Sequence, residues 1–157
     1  MIVPEDKLQE TIKICGMHSQ RMCYAFGKIE KHIPLDIDKY GNLTEDDLGS
    51  FDQLIFRYSK LQDSMGKKLF PAILENLGED IENIPFIDLL NKLEKLELIE
   101  DQRQWLRLRE VRNLVTREYP FNTEEIVEGL NLLAGQVMIL QNILDRLLRY
   151  VCDKFGI

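Results

Sequence analysis

Histidine is the scarcest side chain of catalytic interest in this sequence. His18 and His32 are the only two among 157 residues. Imidazole acid–base chemistry therefore requires one of these two to reach the working site. Neither has a cysteine or a second histidine at metal-ligand spacing with acid support, so both read as surface or partly packed side chains. Ser19, Ser50, Ser59 and Ser64 lack a histidine partner, which argues against a hydrolase triad. The glycine-rich phosphate loops G-x-x-x-x-G-K-[ST] and G-x-G-x-x-G are missing, as are H-E-x-x-H and G-x-S-x-G. These absences imply no cofactor and no resident metal. The three cysteines, Cys15, Cys23 and Cys152, form no C-x-x-C and read as reduced, mostly buried thiols. Long apolar runs are also missing. The best stretch, Leu130 to Leu140, is short and interrupted by Asn131, Gly135 and Gln136, so no membrane span is expected. The acidic opening Met1-Ile-Val-Pro-Glu-Asp lacks the basic start of a secretory signal, and a cytoplasmic location is expected.

What is present is a soluble globular composition, 45% hydrophobic and 30% charged, in a chain long enough for one domain, 1–157, with a real core. The formal net charge of -7 opposes general nucleic-acid binding, since phosphate contact needs positive surface. The distribution matters more than the sum. Five of the nine arginines, Arg103, Arg107, Arg109, Arg112 and Arg117, fall in one short stretch. That stretch is either a solvated helix face balanced by Glu100, Asp101, Glu110 and Glu118, or a basic cleft on an acidic body.

Periodicity predicts helices throughout. The first runs from about Glu5 to His32, with Leu8, Ile12, Cys15, Cys23, Phe26 and Ile29 on a broken apolar face; Gly16 and Gly27 weaken it. Pro34 to Leu43 is expected to be a loop. It partly fits a calcium loop through Asp36, Asp38, Gly41 and Leu43. Tyr40, however, replaces an oxygen ligand, and Asp47 stands where a bidentate glutamate is needed, so a polar connection feeding a helix cap is the favoured reading. Thr44 with Asp47 predicts a capping-box variant. The next helix carries Phe51, Leu54, Tyr58, Leu61, Met65 and Leu69 on one seam, and Pro71 allows a kink or break. Leu77-Gly78 predicts a glycine stop. A short helix follows from Phe86 to about Leu96. Asp101 is the expected cap of the arginine-rich helix, and Asn122 with Glu125 caps the last, which runs to about Phe155. Its stripe Ile126, Leu130, Leu133, Val137, Leu140, Leu144, Leu147 and Val151 is broadened by Leu132, Met138, Ile139 and Ile143. That width fits either deep burial or a dimer contact. Without strand-like alternation or repeats, the expected fold is an all-α, up-and-down antiparallel bundle of four to five helices.

The chain is organised around Trp105 to Pro120, W-L-R-L-R-E-V-R-N-L-V-T-R-E-Y-P. Trp105, Leu108, Arg112, Val115 and Tyr119 follow one another at spacings of three and four, a single helical stripe. Four belong on an inward seam; the fifth is an arginine where packing alone would have put a leucine. A buried guanidinium is costly unless it is paired or lines a wet cleft. Asp63 is a carboxylate that could pair with Arg112 or Arg109. Pro120 ends the helix and leaves Arg117 and Tyr119 at its negative end.

Arg112-Asn113-x-x-x-Arg117-x-Tyr119 resembles the R-N-x-x-x-H-x-Y motif of the HEPN superfamily, in particular its HepT-like branch. Phe56 to Gly66, F-R-Y-S-K-L-Q-D-S-M-G, is similar to a second, less specific segment of the same proteins. The resemblance implies a small antiparallel helical bundle of the toxin–antitoxin type that forms homodimers with a shared cleft. It implies either a metal-independent RNase or a non-catalytic partner of a cognate minimal nucleotidyltransferase. Arg112, Asn113, Arg117 and Tyr119 are the motif positions it carries over. Arg117 stands where the family has histidine, and a guanidinium stays protonated at neutral pH, so it adds charge without moving protons. RNA cleavage would then need another proton carrier, such as Tyr119 or water. The matching tyrosine favours the partner reading. Arg57, Arg109 and Arg112 would bind phosphate, RNA or the partner, and Tyr119 would be the residue the nucleotidyltransferase modifies with AMP. Two alternatives remain: an active endoribonuclease using Arg112, and a structural scaffold in which Arg112 only sets helix register.

Overall fold

In the computed structural model, residues 4–117 and 122–157 are described. Among them the chain is all-α. Helix α1 spans Pro4–Ile29 and passes into a 3-10 turn, Glu30–His32. Helix α2 is a single short turn, Ile37–Gly41; α3 is Glu45–Ser64. A π-helical turn, Met65–Leu69, leads without a break into α4, Phe70–Asn76. Helices α5, α6 and α7 span Phe86–Lys95, Gln102–Thr116 and Thr123–Phe155. The long helices pack as a bundle in which α1 lies along α3, and α6 lies along α7 and against α3.

The ends are set by local chemistry. Thr44 and Asp47 form both halves of a capping box: the Asp47 N–H donates to Thr44 Oγ1 and the Thr44 N–H to Asp47 Oδ2, each at 3.1 Å. Asp101 Oδ1 accepts the Arg103 N–H at 2.8 Å to start α6, and Asn122 Oδ1 accepts the Glu125 N–H at 3.1 Å to start α7. Gly78, at φ +81°, ends α4 while the Glu79 N–H reaches back to the Leu74 carbonyl at 3.0 Å, the Schellman pattern.

Three expectations need correction. The 34–43 stretch is not all loop, because Asp36 accepts the Lys39 N–H at 2.7 Å and caps α2 within it. Asp36 and Asp47, two carboxylates of the calcium reading, are thus both engaged as helix caps. Pro71 does not break its helix. A proline has no N–H to give and its ring crowds the preceding turn; the π-turn just before it, where the Phe70 N–H bonds to the Met65 carbonyl, widens the helix and lets it continue. The thiols differ from one another: Cys15 is buried, Cys23 half-buried and Cys152 exposed. Burial pushes the Cys15 thiol up to about 12, so it behaves as a small hydrophobe.

The α7 stripe packs into the core, with Leu133, Val137, Leu140 and Leu147 fully buried. By length and composition alone this helix could cross a membrane; here its apolar face covers the bundle. One polar residue on it does structural work. Asn131 accepts the Leu35 N–H at 2.7 Å and donates to the Leu35 carbonyl at 2.9 Å, tying the 33–36 connection to α7. Asn131→Ala leaves both groups of the buried Leu35 backbone without their partner, at about 1–3 kcal/mol. Thermal unfolding should show a midpoint about 3–10 °C lower. An unchanged midpoint would mean that water replaces the side chain at no cost.

Candidate functional site

The cleft forms where α3 runs into the π-turn and faces α6. Gln62, Asp63, Gly66 and Lys67 come from the first rod, Trp105, Arg109 and Arg112 from α6, and Phe86 from the start of α5. Together they line a cavity of about 250 Å³. Spacings of four and three along α6 put Trp105, Arg109 and Arg112 on one face. Opposite them the π-turn brings backbone close. A Cβ built on Gly66 would lie 3.4 Å from Trp105 Cζ2, so the small residue and the wide turn together make the hollow.

Arg112 donates from Nη1 to Asp63 Oδ1 at 2.8 Å. The acid paired with Arg112 is therefore Asp63, and the pair is half-covered: the side chains are 21% and 32% exposed. Two polar atoms nearby have no partner. Arg112 Nε and Gln62 Oε1 are both buried and make no hydrogen bond. Unsatisfied buried polar atoms are rare in native proteins and costly to keep. Arg109 adds a second cation, its guanidinium carbon 5.4 Å above the Phe86 ring centre. With Lys67, three cations face one carboxylate.

Tyr58 holds the two walls in register. Its buried hydroxyl donates to the Leu108 carbonyl at 2.8 Å, joining α3 to α6 one turn before Arg112. Burial drives its phenol well above the usual range, and the nearby Arg112 charge only partly offsets this. The sequence places Tyr58 among apolar seam residues, and nothing in the periodicity distinguishes its hydroxyl from the methyl groups beside it.

The structure brings together Arg109, Arg112 and Asp63. It does not bring in the rest of the sequence-derived set. Arg57 lies on the other flank of α3, six residues or about 120° of turn from Asp63, where its Nη1 donates to His18 Nδ1 at 3.0 Å. Asn113 is exposed and does not line the cavity. Arg117, five residues or about 140° beyond Arg112, borders a separate groove with Glu110, Val111, Leu114 and Leu132. Tyr119 and Pro120 lie outside the described residues. Neither histidine reaches the cleft: His18 contacts Arg57, and His32 Nε2 lies 3.2 Å from Asp47 Oδ1.

No family model matches the chain, and neither a curated protein nor a solved structure is significantly similar to it. The chemistry of the cleft thus rests on its own residues. Arg112 and Arg109 are permanent cations, Lys67 is a third, and no group lining the cavity has an ordinary pKa near neutrality. The arrangement suits holding an anion better than moving a proton. A larger, shallower depression of about 890 Å³ lies between α2 and α7, but Asp36, Asp38, Glu124 and Glu128 line it and would repel phosphate. Among the described residues, no group of three His, Cys, Asp or Glu side chains is placed to hold a metal ion.

Proposed function

We propose that this chain is a non-catalytic, HepT-like HEPN component that binds a phosphate-bearing ligand or partner, with a minimal nucleotidyltransferase as its cognate protein. The observation that carries the reading is Arg112 itself. It is clamped by Asp63 at 2.8 Å beside a cavity and keeps a buried Nε with nothing to bond. A phosphate oxygen entering the cavity would find that donor, together with Arg109 and Lys67. The same cavity lacks an imidazole, which is why binding is favoured over RNA cleavage. Homodimerisation belongs to this reading. Helix α7 leaves Leu132 and Met138 more than 40% exposed, and Leu132 adjoins Val111 and Leu114 of α6.

The deciding assay incubates the purified chain with a labelled single-stranded RNA, beside Arg112→Ala and Arg117→His. The native chain should bind without cutting, and binding should fall in Arg112→Ala. Cleavage by the native chain that disappears in Arg112→Ala would establish the endoribonuclease instead. Light scattering at micromolar concentration should give twice the monomer mass; a monomer removes the dimer. Incubation with the cognate nucleotidyltransferase and ATP should add the mass of AMP at Tyr119. An unchanged mass beside a working control removes that role.

A further inference from the structure

The depression of about 890 Å³ between α2 and α7 has an apolar floor and an acidic rim. On α7, Glu124, Val127, Glu128, Asn131 and Leu132 repeat at i, i+3, i+4, i+7 and i+8, one face of the helix. Asp36, Ile37 and Asp38, at the start of α2, form the opposite wall. That wall is held in place, because Asn131 bonds both backbone groups of Leu35. The groove is therefore preformed. Val127 is buried at its base, yet Ile37 is 49% and Leu132 42% exposed. One exposed apolar side chain is ordinary; two in the same groove leave a surface that a partner would cover. The carboxylates beside them are only partly used by the fold. Asp36 caps α2, and Asp38 and Glu124 lie in first helical turns, where the helix dipole favours acid. Glu128 lies four residues beyond Glu124, a spacing at which like charges repel. Among the described residues, Asp38, Glu124 and Glu128 form no ion pair, and no basic side chain lines the groove.

Nucleic acid and anionic lipid are repelled by such a rim. A helix with an apolar stripe flanked by lysine or arginine matches both the floor and the rim. We propose that the α2–α7 groove docks a basic amphipathic helix of a partner protein. Its apolar residues at i, i+3 or i+4, and i+7 lie on Val127, Ile37 and Leu132. The cations on either side of the stripe meet Glu124 and Glu128 on one wall and Asp36 and Asp38 on the other. The chain's own basic helix does not fit. Helix α6 exposes Arg103 and Arg107 but turns Trp105, Leu108 and Val111 inward, so a second copy would bring charge without apolar residues for the floor. Leu132 also borders the α6–α7 groove, but the four carboxylates line only the α2 side. None of these residues lines the Arg112 cavity, and the inference does not depend on the reading of that cavity.

Fluorescence anisotropy tests it with a labelled synthetic helix of about 15 residues, leucine on one stripe and lysine elsewhere. The peptide should saturate at one site per chain and bind more weakly as salt rises. Leu132→Asp should weaken it about 10- to 150-fold, and Glu124→Gln with Glu128→Gln about 3- to 30-fold. All three side chains are exposed, so these variants should fold, and far-ultraviolet circular dichroism checks that. Met138→Asp, on the same helix outside the groove, and Arg112→Leu should bind the peptide like the native chain. A second peptide, with the same lysines and serine in place of leucine, should bind at least tenfold more weakly. The proposal is overturned if both peptides bind equally, because the surface is then a plain acidic patch. It is also overturned by no saturation at submillimolar peptide, by unchanged binding in Leu132→Asp, or by an equal loss in Met138→Asp or Arg112→Leu. Light scattering separates the remaining occupant, a second copy. The native assembly should keep its size with the peptide bound; dissociation would show that another copy already fills the groove and would overturn the proposal.

Discussion

Trp105→Ala should lower stability by about 3–5 kcal/mol, the range for removing a large buried aromatic. The indole is 1% exposed and is the largest fully buried side chain in the molecule. It packs on Phe70 with ring centres 4.6 Å apart at a tilted angle, and its edge closes on Gly66 in the π-turn. Deleting it removes at once the contact with Phe70 of α4, the contact with Gly66 of the π-turn and part of the cleft lining. No neighbour on the α3–α4 rod can move in, because that rod is already pinned through Tyr58 and the α1 seam. The cavity would therefore enlarge rather than collapse. For a chain of this length the melting midpoint should drop by about 6–20 °C, as read by circular dichroism. A loss below about 1 kcal/mol would mean that the π-turn relaxes to fill the space, and that Gly66 rather than Trp105 sets the shape of the cleft.

Arg112→Leu should separate binding from stability. Leucine fits the stripe that Trp105 and Leu108 define, and Asp63 is already 32% exposed and can hydrate when its partner leaves. An ion pair that keeps a fifth to a third of its surface in water is worth about 1 kcal/mol, so the melting midpoint should move by no more than about 3 °C. Binding should suffer far more. Charge-assisted hydrogen bonds contribute about 1.5–3 kcal/mol each, so a labelled single-stranded RNA should bind about 10- to 150-fold more weakly. Arg112→Lys should lie between, keeping the charge but losing the planar donor set. The reverse pattern, a midpoint lowered by 10 °C or more with binding unchanged, would show that the arginine serves only to fix the register of α6.

The helices and most of their ends were determined by the sequence alone, because both depend on neighbours three or four residues apart. Thr44–Asp47, Asp101, Asn122–Glu125 and Gly78 act through such local contacts, and the α7 stripe repeats at the period of its own backbone. The oddity of Arg112 was legible for the same reason: a cation breaks an apolar stripe whatever the stripe faces. Tertiary structure alone decided what that cation meets. Asp63 is 49 positions away in the chain, and α3 has to cross α6 at one height, held by Tyr58 on Leu108, before the two can touch. It also decided which arginines share a site. The motif resemblance grouped Arg112 with Asn113 and Arg117, and the expected phosphate site grouped it with Arg57. Helical rotation, however, sends Arg117 to another groove, and α3 turns Arg57 toward His18.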